Sequence, residues 1–228
     1  MSSRDDGNWA APIERLTEGG VNVGGRRLTG PQQGFGQMWQ KTYRIRIPGV
    51  PPEKVISEWK ANYGSFWPSF SRFNAPVAGI KPGEVGNIQS MQLLSTGVIV
   101  MYADDTSFAF MTPEGHPFAG WITFSAYDDE GTVGQVQVLI RPNDPIWELA
   151  FLFGFGKGED LMWRHTLKAL AAHFGVQGDP EMVANKVDKK RLWKNARNIR
   201  YNAAIGSAWH VLSAPARWAK RPSPSSEE

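Results

Sequence analysis

The chain has 228 residues with a formal net charge of +3; 41% of residues are hydrophobic, 21% are charged, and none is cysteine. That length suits one large domain or two small ones with a real core, while disulfides and thiolate metal sites are excluded outright. Met1-Ser-Ser-Arg-Asp-Asp lacks the apolar run of a secretory signal and no stretch reaches the ~18 apolar residues of a membrane span, which points to a cytoplasmic protein, at most peripheral to a membrane.

Residues 1–36 read as an irregular, Gly-rich N-terminal arm, with Gly19-Gly20, Gly24-Gly25 and Gly30-Pro31 and a short turn of helix near Ile13 to Leu16. From Trp39 to Ile47 the period is two: Trp39, Tyr43, Ile45 and Ile47 fall on one face, Gln40, Thr42, Arg44 and Arg46 on the other. That predicts a half-buried strand. Pro52 opens a helix whose apolar face is Val55, Ile56, Trp59 and Tyr63, with Gly64 as its stop. Phe66, Trp67, Phe70 and Phe73 suggest a second short helix over Ser65 to Phe73.

Strands are expected over Val85 to Leu94, Gly97 to Ala103, Thr106 to Met111, Phe118 to Tyr127 and Thr132 to Arg141. Asp128-Asp-Glu-Gly131 is the hairpin turn between the last two, and short spacers imply antiparallel neighbours. Asp144 and Pro145 then start a helix that Gly154-Phe-Gly-Lys-Gly158 interrupts. Beyond it, Glu159 to Phe174 carries Trp163, Leu167, Leu170 and Phe174 as one stripe. The fold class is therefore α+β: a curved antiparallel sheet over 37–176, wrapped on a long C-terminal helix in a helix-grip arrangement, since no other element is long enough to cover the sheet.

Residues 177–228 form a basic tail. From Glu181 onward there are ten Lys or Arg against four acids, so the rest of the chain is net −3. A helix is expected over Pro180 to Ala203, with Leu192, Ala196, Ile199 and Ala203 as its apolar stripe, Lys186, Lys190, Lys194 and Arg197 on the opposite side, and Trp193 and Tyr201 at the boundary. The end, with its Pro, Ser and Glu, reads as disordered. Such a helix would dock on an acidic protein partner or an anionic membrane surface, or pack back on its own body. Nucleic acid is disfavoured, because basic residues without a reading motif give only non-specific phosphate contacts.

The order of elements, with Phe108-Ala-Phe-Met-Thr-Pro-Glu-Gly-His-Pro117, resembles the START/polyketide-cyclase (helix-grip) superfamily. Within it the chain looks most like a bacterial and plant family described as a domain of unknown function. Phe110, Pro113, Gly115-His116-Pro117, Gly120, Phe124, Asp129 to Val133 and Arg141-Pro142 carry the resemblance, which spans Trp39 to Val176. It implies an apolar cavity between sheet and long helix for lipids, polyketides, hormones or aromatics. The lining this chain would supply is Trp59, Tyr63, Phe66, Trp67, Tyr102, Phe110, Trp121, Phe124 and Trp163, with His116 at the mouth; the same rings would equally serve to fill a core.

No catalytic set stands out. His165 and His173 lie eight residues apart with no matching ligand at i+4, so no metal site is read. His116 would be a lone acid or base or simply the end of a turn. Asp104-Asp105 and Asp128-Asp129-Glu130 sit where solvated turn acids are expected. Gly154 to Gly158 has Glu159 where a phosphate loop needs Ser or Thr. No cofactor is therefore expected. The function expected first is non-catalytic binding of a small apolar or lipid-like ligand. The alternatives are an accessory or assembly subunit acting through its arms, and a cyclase- or hydratase-type enzyme.

Overall fold

The computed structural model describes residues 21–90 and 94–214. In chain order, β1 (Leu28–Thr29) precedes β2 (Met38–Arg46), α1 (Pro52–Ala61) and a 3-10 turn (Tyr63–Phe66). Then come β3 (Ser71–Asn74), β4 (Val85–Ser90), β5 (Leu94–Ala103), β6 (Ser107–Pro113), β7 (Phe118–Asp128) and β8 (Thr132–Pro142). Next are α2 (Pro145–Ala150), one π-helical turn (Phe151–Phe155) and α3 (Gly156–His173), then β9 (Glu181–Asp188), a 3-10 helix (Trp193–Tyr201) and α4 (Ala203–Leu212).

The strands form one antiparallel sheet in the order β3-β4-β5-β6-β7-β8-β2-β9, with β1 added beside the end of β6. Val136, Val138 and Ile140 are buried as their alternation predicts, and they face Tyr43, Lys41 and Trp39 across the β2–β8 ladder. On this face lie α1, through Val55, Ile56 and Trp59, and α3, through Trp163, Leu167 and Leu170. The α+β helix-grip architecture is thus the fold of the chain. Its centre is aromatic: the Tyr63 ring meets those of Phe73, Phe108, Phe110 and Phe124 edge-on at 4.7–5.7 Å, a geometry worth more than area burial alone.

Two expectations are corrected. Ser65 to Phe73 is not a helix: the turn stops at Phe66, and Ser71–Asn74 pairs with β4. Ser71 and Phe73 point inward and Arg72 and Asn74 outward, a period of two that the aromatic spacing concealed. Nor is Pro180 to Ala203 one helix. Glu181–Asp188 pairs along the outer edge of β2, satisfying a row of backbone groups that would otherwise be left open. That ladder outweighs an apolar stripe containing two alanines, and α-helix begins only at Ala203.

The described parts of both arms are held to the body. Of the N-terminal arm, Val23 and Phe35 are buried. The turn read near Ile13 to Leu16 and the C-terminal end that the sequence reads as disordered lie outside the described residues. In the tail, the Asn195 amide donates to Gln32 O and Gly34 O, Asn198 donates to Gln33 O and Asn143 O, and Asn202 donates to Asp144. These asparagines share one side of the segment and fix it across the N-terminal arm. Among the described residues, no helix is long and apolar enough to cross a membrane.

Candidate functional site

A cavity of about 300 Å³ lies between the sheet and α3, at the small end of the range for ligand sites. Its walls are strand side chains from β4 to β8, including Ile88, Val98, Phe110, Ile122, Val138 and Ile140. The 3-10 turn region supplies Tyr63, Trp67 and Phe70, and the other side is Gly154, Phe155, Gly158, Glu159, Met162 and Trp163. The local break in the helix shapes that side. Phe153 leaves helical angles and Gly154 has φ +121°, a conformation a residue with a side chain rarely adopts. The chain therefore changes direction here, and Phe155 turns in against Phe118 and Trp147.

Of the ten residues expected to bind ligand, Tyr63, Trp67, Phe110, His116, Trp121 and Trp163 line this cavity. Trp121 is 42% exposed and its ring lies near Gly30 of the arm, so it belongs to the outer rim. Trp59 and Phe124 are behind the wall, edge-on to each other at 5.3 Å, and Phe66 packs against His173 at 5.6 Å. Tyr102 is turned away: the register shifts between Val100 and Tyr102, so Tyr102 pairs with outward-facing Ala109 and its hydroxyl bonds Asp104.

Sequence reasoning passed over the polar members of the wall. Glu159, at the start of α3, is buried with its Oε2 2.8 Å from Lys41 Nζ, while Trp163 Nε1 donates to its Oε1 at 3.3 Å. Lys41 also meets Asp160 at 2.5 Å, and the Tyr43 hydroxyl donates to the same Asp160 oxygen at 2.6 Å. Burial alone would lower the Lys41 pKa, but the two carboxylates outweigh it and hold the ammonium above its ordinary value. For Glu159 burial dominates and raises the carboxyl, with Lys41 opposing. The signal was in the sequence: Lys41 shares the inward parity of Tyr43 and Ile45.

His116 stands in the turn between β6 and β7. Burial pushes its pKa down to about 4, so the ring is neutral near pH 7. Its Nδ1 lies 3.1 Å from the Phe118 N–H, which it can accept, leaving Nε2 without a protein partner among the described residues. The turn is pinned from outside, because Ala203 N donates to Gly115 O and a Cβ on Gly115 would overlap the Tyr201 carbonyl.

Three further wall residues carry buried polar atoms that no group among the described residues satisfies: Tyr63 Oη, Trp67 Nε1 and Thr96 Oγ1. Burial raises the Tyr63 pKa well above its ordinary value. Trp67 is near enough to oppose this slightly, but the two make no hydrogen bond of adequate geometry. Among the described residues no group of three or more His, Asp or Glu side chains could hold a metal ion.

The expected docking residues are mostly engaged within the chain. Ala203 is fully buried in a cluster with Leu94 and Trp147, and Leu192 and Ala196 are half-buried. Trp193, though 74% exposed, meets Phe35 edge-on at 5.2 Å. Arg197 and Ile199 remain exposed.

No protein-family model and no curated protein matches the chain. Solved structures do, at low identity. A protein of Chromobacterium violaceum is 15% identical over 60% of this chain and 98% of its own, with a TM-score of 0.40. One of Mycobacterium smegmatis is 11% identical over 60% and 90%, with a TM-score of 0.44. The di-domain ARO/CYC protein of the steffimycin biosynthetic pathway is 10% identical over 61% of this chain and 53% of its own, with a TM-score of 0.47.

Proposed function

We propose that the protein binds a small, mainly apolar ligand in the cavity between the sheet and α3. The observation that carries this reading is the cavity itself: a space of about 300 Å³ walled by aromatic and aliphatic side chains in an otherwise close-packed interior. Trp67 and Trp163 on its wall make occupancy readable. Titration with 2-naphthol should quench tryptophan fluorescence saturably with one site per chain, and the cavity-filling Val138→Phe should abolish the effect. Linear, non-saturating quenching by wild type would refute the reading.

A second reading is acid–base chemistry of the cyclase or hydratase type on whatever is bound. It is favoured by neutral His116 and by Glu159 with its raised pKa, both on the wall of the same cavity. The compound that co-purifies with the protein, re-added to fresh protein, should then return with changed mass, and Glu159→Gln or His116→Gln should prevent the change. Unaltered recovery sets the enzyme aside.

The narrower resemblance, to the family described as a domain of unknown function, belongs to the same proposal and rests on residues such as Gly115-His116-Pro117. So does a cytoplasmic location, argued from the lack of cysteine. For the tail we propose attachment to its own body first. Of the residues expected to dock, Trp193, Arg197 and Ile199 are exposed and open to a protein partner or an anionic membrane, and the assembly reading would act through them.

A further inference from the structure

The helix α4 contains no Lys, Arg, Asp or Glu. Ala203 and Ser207 are its buried residues, while Ile205, Trp209 and Leu212, at i, i+4 and i+7, share one row and are 52%, 72% and 76% exposed. A helix that is apolar all round is normally buried, yet among the described residues nothing covers this row. α4 begins in the cluster that joins Ala203 to Trp147 of α2, and beside that cluster Leu149 and Phe153 are exposed as well. Single exposed apolar residues are ordinary, but a group of this size on neighbouring elements marks an interaction surface.

The 3-10 helix leading into α4 supplies charge. With three residues per turn, side chains three apart eclipse one another, so Trp193–Tyr201 carries three rows. Asn195, Asn198 and Tyr201 form the row toward the body, where both asparagines donate to backbone carbonyls of the N-terminal arm. Lys194, Arg197 and Arg200 form a second row. All three are exposed, and none is paired with a carboxylate among the described residues. In the third row, Trp193 and Ile199 are exposed on either side of half-buried Ala196.

Cations alone would suit any polyanion, and an apolar row alone any apolar partner; the two together narrow the choice. From Lys189 to Ser226 the sequence contains nine Lys or Arg and no acid. A second copy docking through the same face would set one row of unpaired cations against another. A nucleic acid offers phosphates but no apolar layer for Ile205 and Leu212 to enter. An anionic bilayer offers both: negative headgroups for the cations, an acyl boundary for the aliphatic side chains, and between them the level at which Trp rings settle.

We propose that α4 and the 3-10 helix before it form a peripheral docking surface for an anionic phospholipid bilayer, with Ile205, Trp209 and Leu212 entering the interface and Lys194, Arg197 and Arg200 on the headgroups. This rests on the attachment of the tail to the body, commits the tail's exposed residues to a membrane, and is independent of what the cavity holds.

Flotation of the full chain with vesicles of phosphatidylcholine alone, and of phosphatidylcholine with about one-third phosphatidylserine, tests it. The anionic vesicles should bind at least about tenfold more tightly than the neutral ones, and high salt should remove the difference. Trp209→Ser/Leu212→Ser should weaken binding by at least about tenfold, and so should Lys194→Gln/Arg197→Gln/Arg200→Gln. All five positions are exposed, so the fold should survive both changes. Both variants should keep their saturable quenching by 2-naphthol, which separates failure here from failure of the ligand-binding reading. If neither kind of vesicle captures wild type, the inference is overturned; a dimer that Trp209→Ser/Leu212→Ser dissolves would then name a second copy as the occupant. If the charge variant loses the vesicles while the apolar variant keeps them, the surface recognises negative charge alone, as on an acidic protein or a nucleic acid, and the bilayer is overturned as its occupant.

Discussion

Asp144 and Asn202, fifty-eight residues apart, each cap a helix and hydrogen-bond one another: Asn202 Nδ2 donates to Asp144 Oδ2 at 2.8 Å. Asp144 Oδ1 accepts from Ile146 N and Trp147 N at the start of α2, and Asn202 Oδ1 accepts from Ala204 N and Ile205 N at the start of α4. Both residues are buried. The tail is thereby joined to the helical segment that forms one side of the cavity.

Asn202→Ala removes the cap of α4 and that link together. A loss of about 1–3 kcal/mol is expected. Hydrogen exchange should accelerate over α4 and the preceding 3-10 helix, with the central strands unaffected. Uniform acceleration throughout the chain would mean that the tail is part of the global folding unit rather than a joined segment.

Gly115→Ala probes the same attachment from the other side. With φ +88° and the Tyr201 carbonyl in the path of a Cβ, the substitution should displace Tyr201 and cost at least about 1 kcal/mol. Limited proteolysis should then cut between Leu192 and Asn202 far faster than in wild type.

Lys41→Met leaves Glu159 and Asp160 buried or half-buried without their cation. The expected destabilisation is about 3–5 kcal/mol in urea unfolding. The double variant Lys41→Met/Glu159→Leu should recover part of that loss, because it removes a buried carboxylate together with its cation. If the single change is nearly neutral, the pair is not the closed contact described.

His116 sets a pH dependence. Its folded pKa, about 4, lies below the ordinary 6.5, so the unfolded chain takes up the proton first. Stability is fully present above pH 6.5 and declines as pH falls toward 4, by about 1–3 kcal/mol from this group. His116→Gln should flatten that part of the profile relative to wild type. Identical slopes in both proteins would show that the ring is solvated.

Much of the fold was legible because its signals are local. The alternation of Val136, Val138 and Ile140, the Asp128–Gly131 hairpin and the stripe Trp163, Leu167, Leu170 each predict their element, and the structure contains all three. What was not legible depends on distant partners. β9 exists because β2 has an edge to pair, and nothing within Glu181–Asp188 announces that edge. Tyr102 was misplaced by a bulge that its own residues do not encode. At the site, apolar rings were easy to nominate but only the three-dimensional packing separates Trp59 and Phe124, behind the wall, from Trp67 and Trp163 on it. The unsatisfied polar atoms of Tyr63, Trp67 and Thr96 are invisible before the fold is known, since satisfaction is a property of neighbours.

Native mass spectrometry of the full chain, purified from its own source and then incubated with 2-naphthol, tests the ligand-binding cavity most directly. One adduct per chain is expected, a neutral molecule of no more than a few hundred daltons that is released on denaturation, or a single naphthol where the protein arrives empty, and neither in Val138→Phe. A bare mass before and after incubation, with Val138→Phe destabilised by the ~1–3 kcal/mol typical of overpacking, would show instead that the space is filled and the claim wrong.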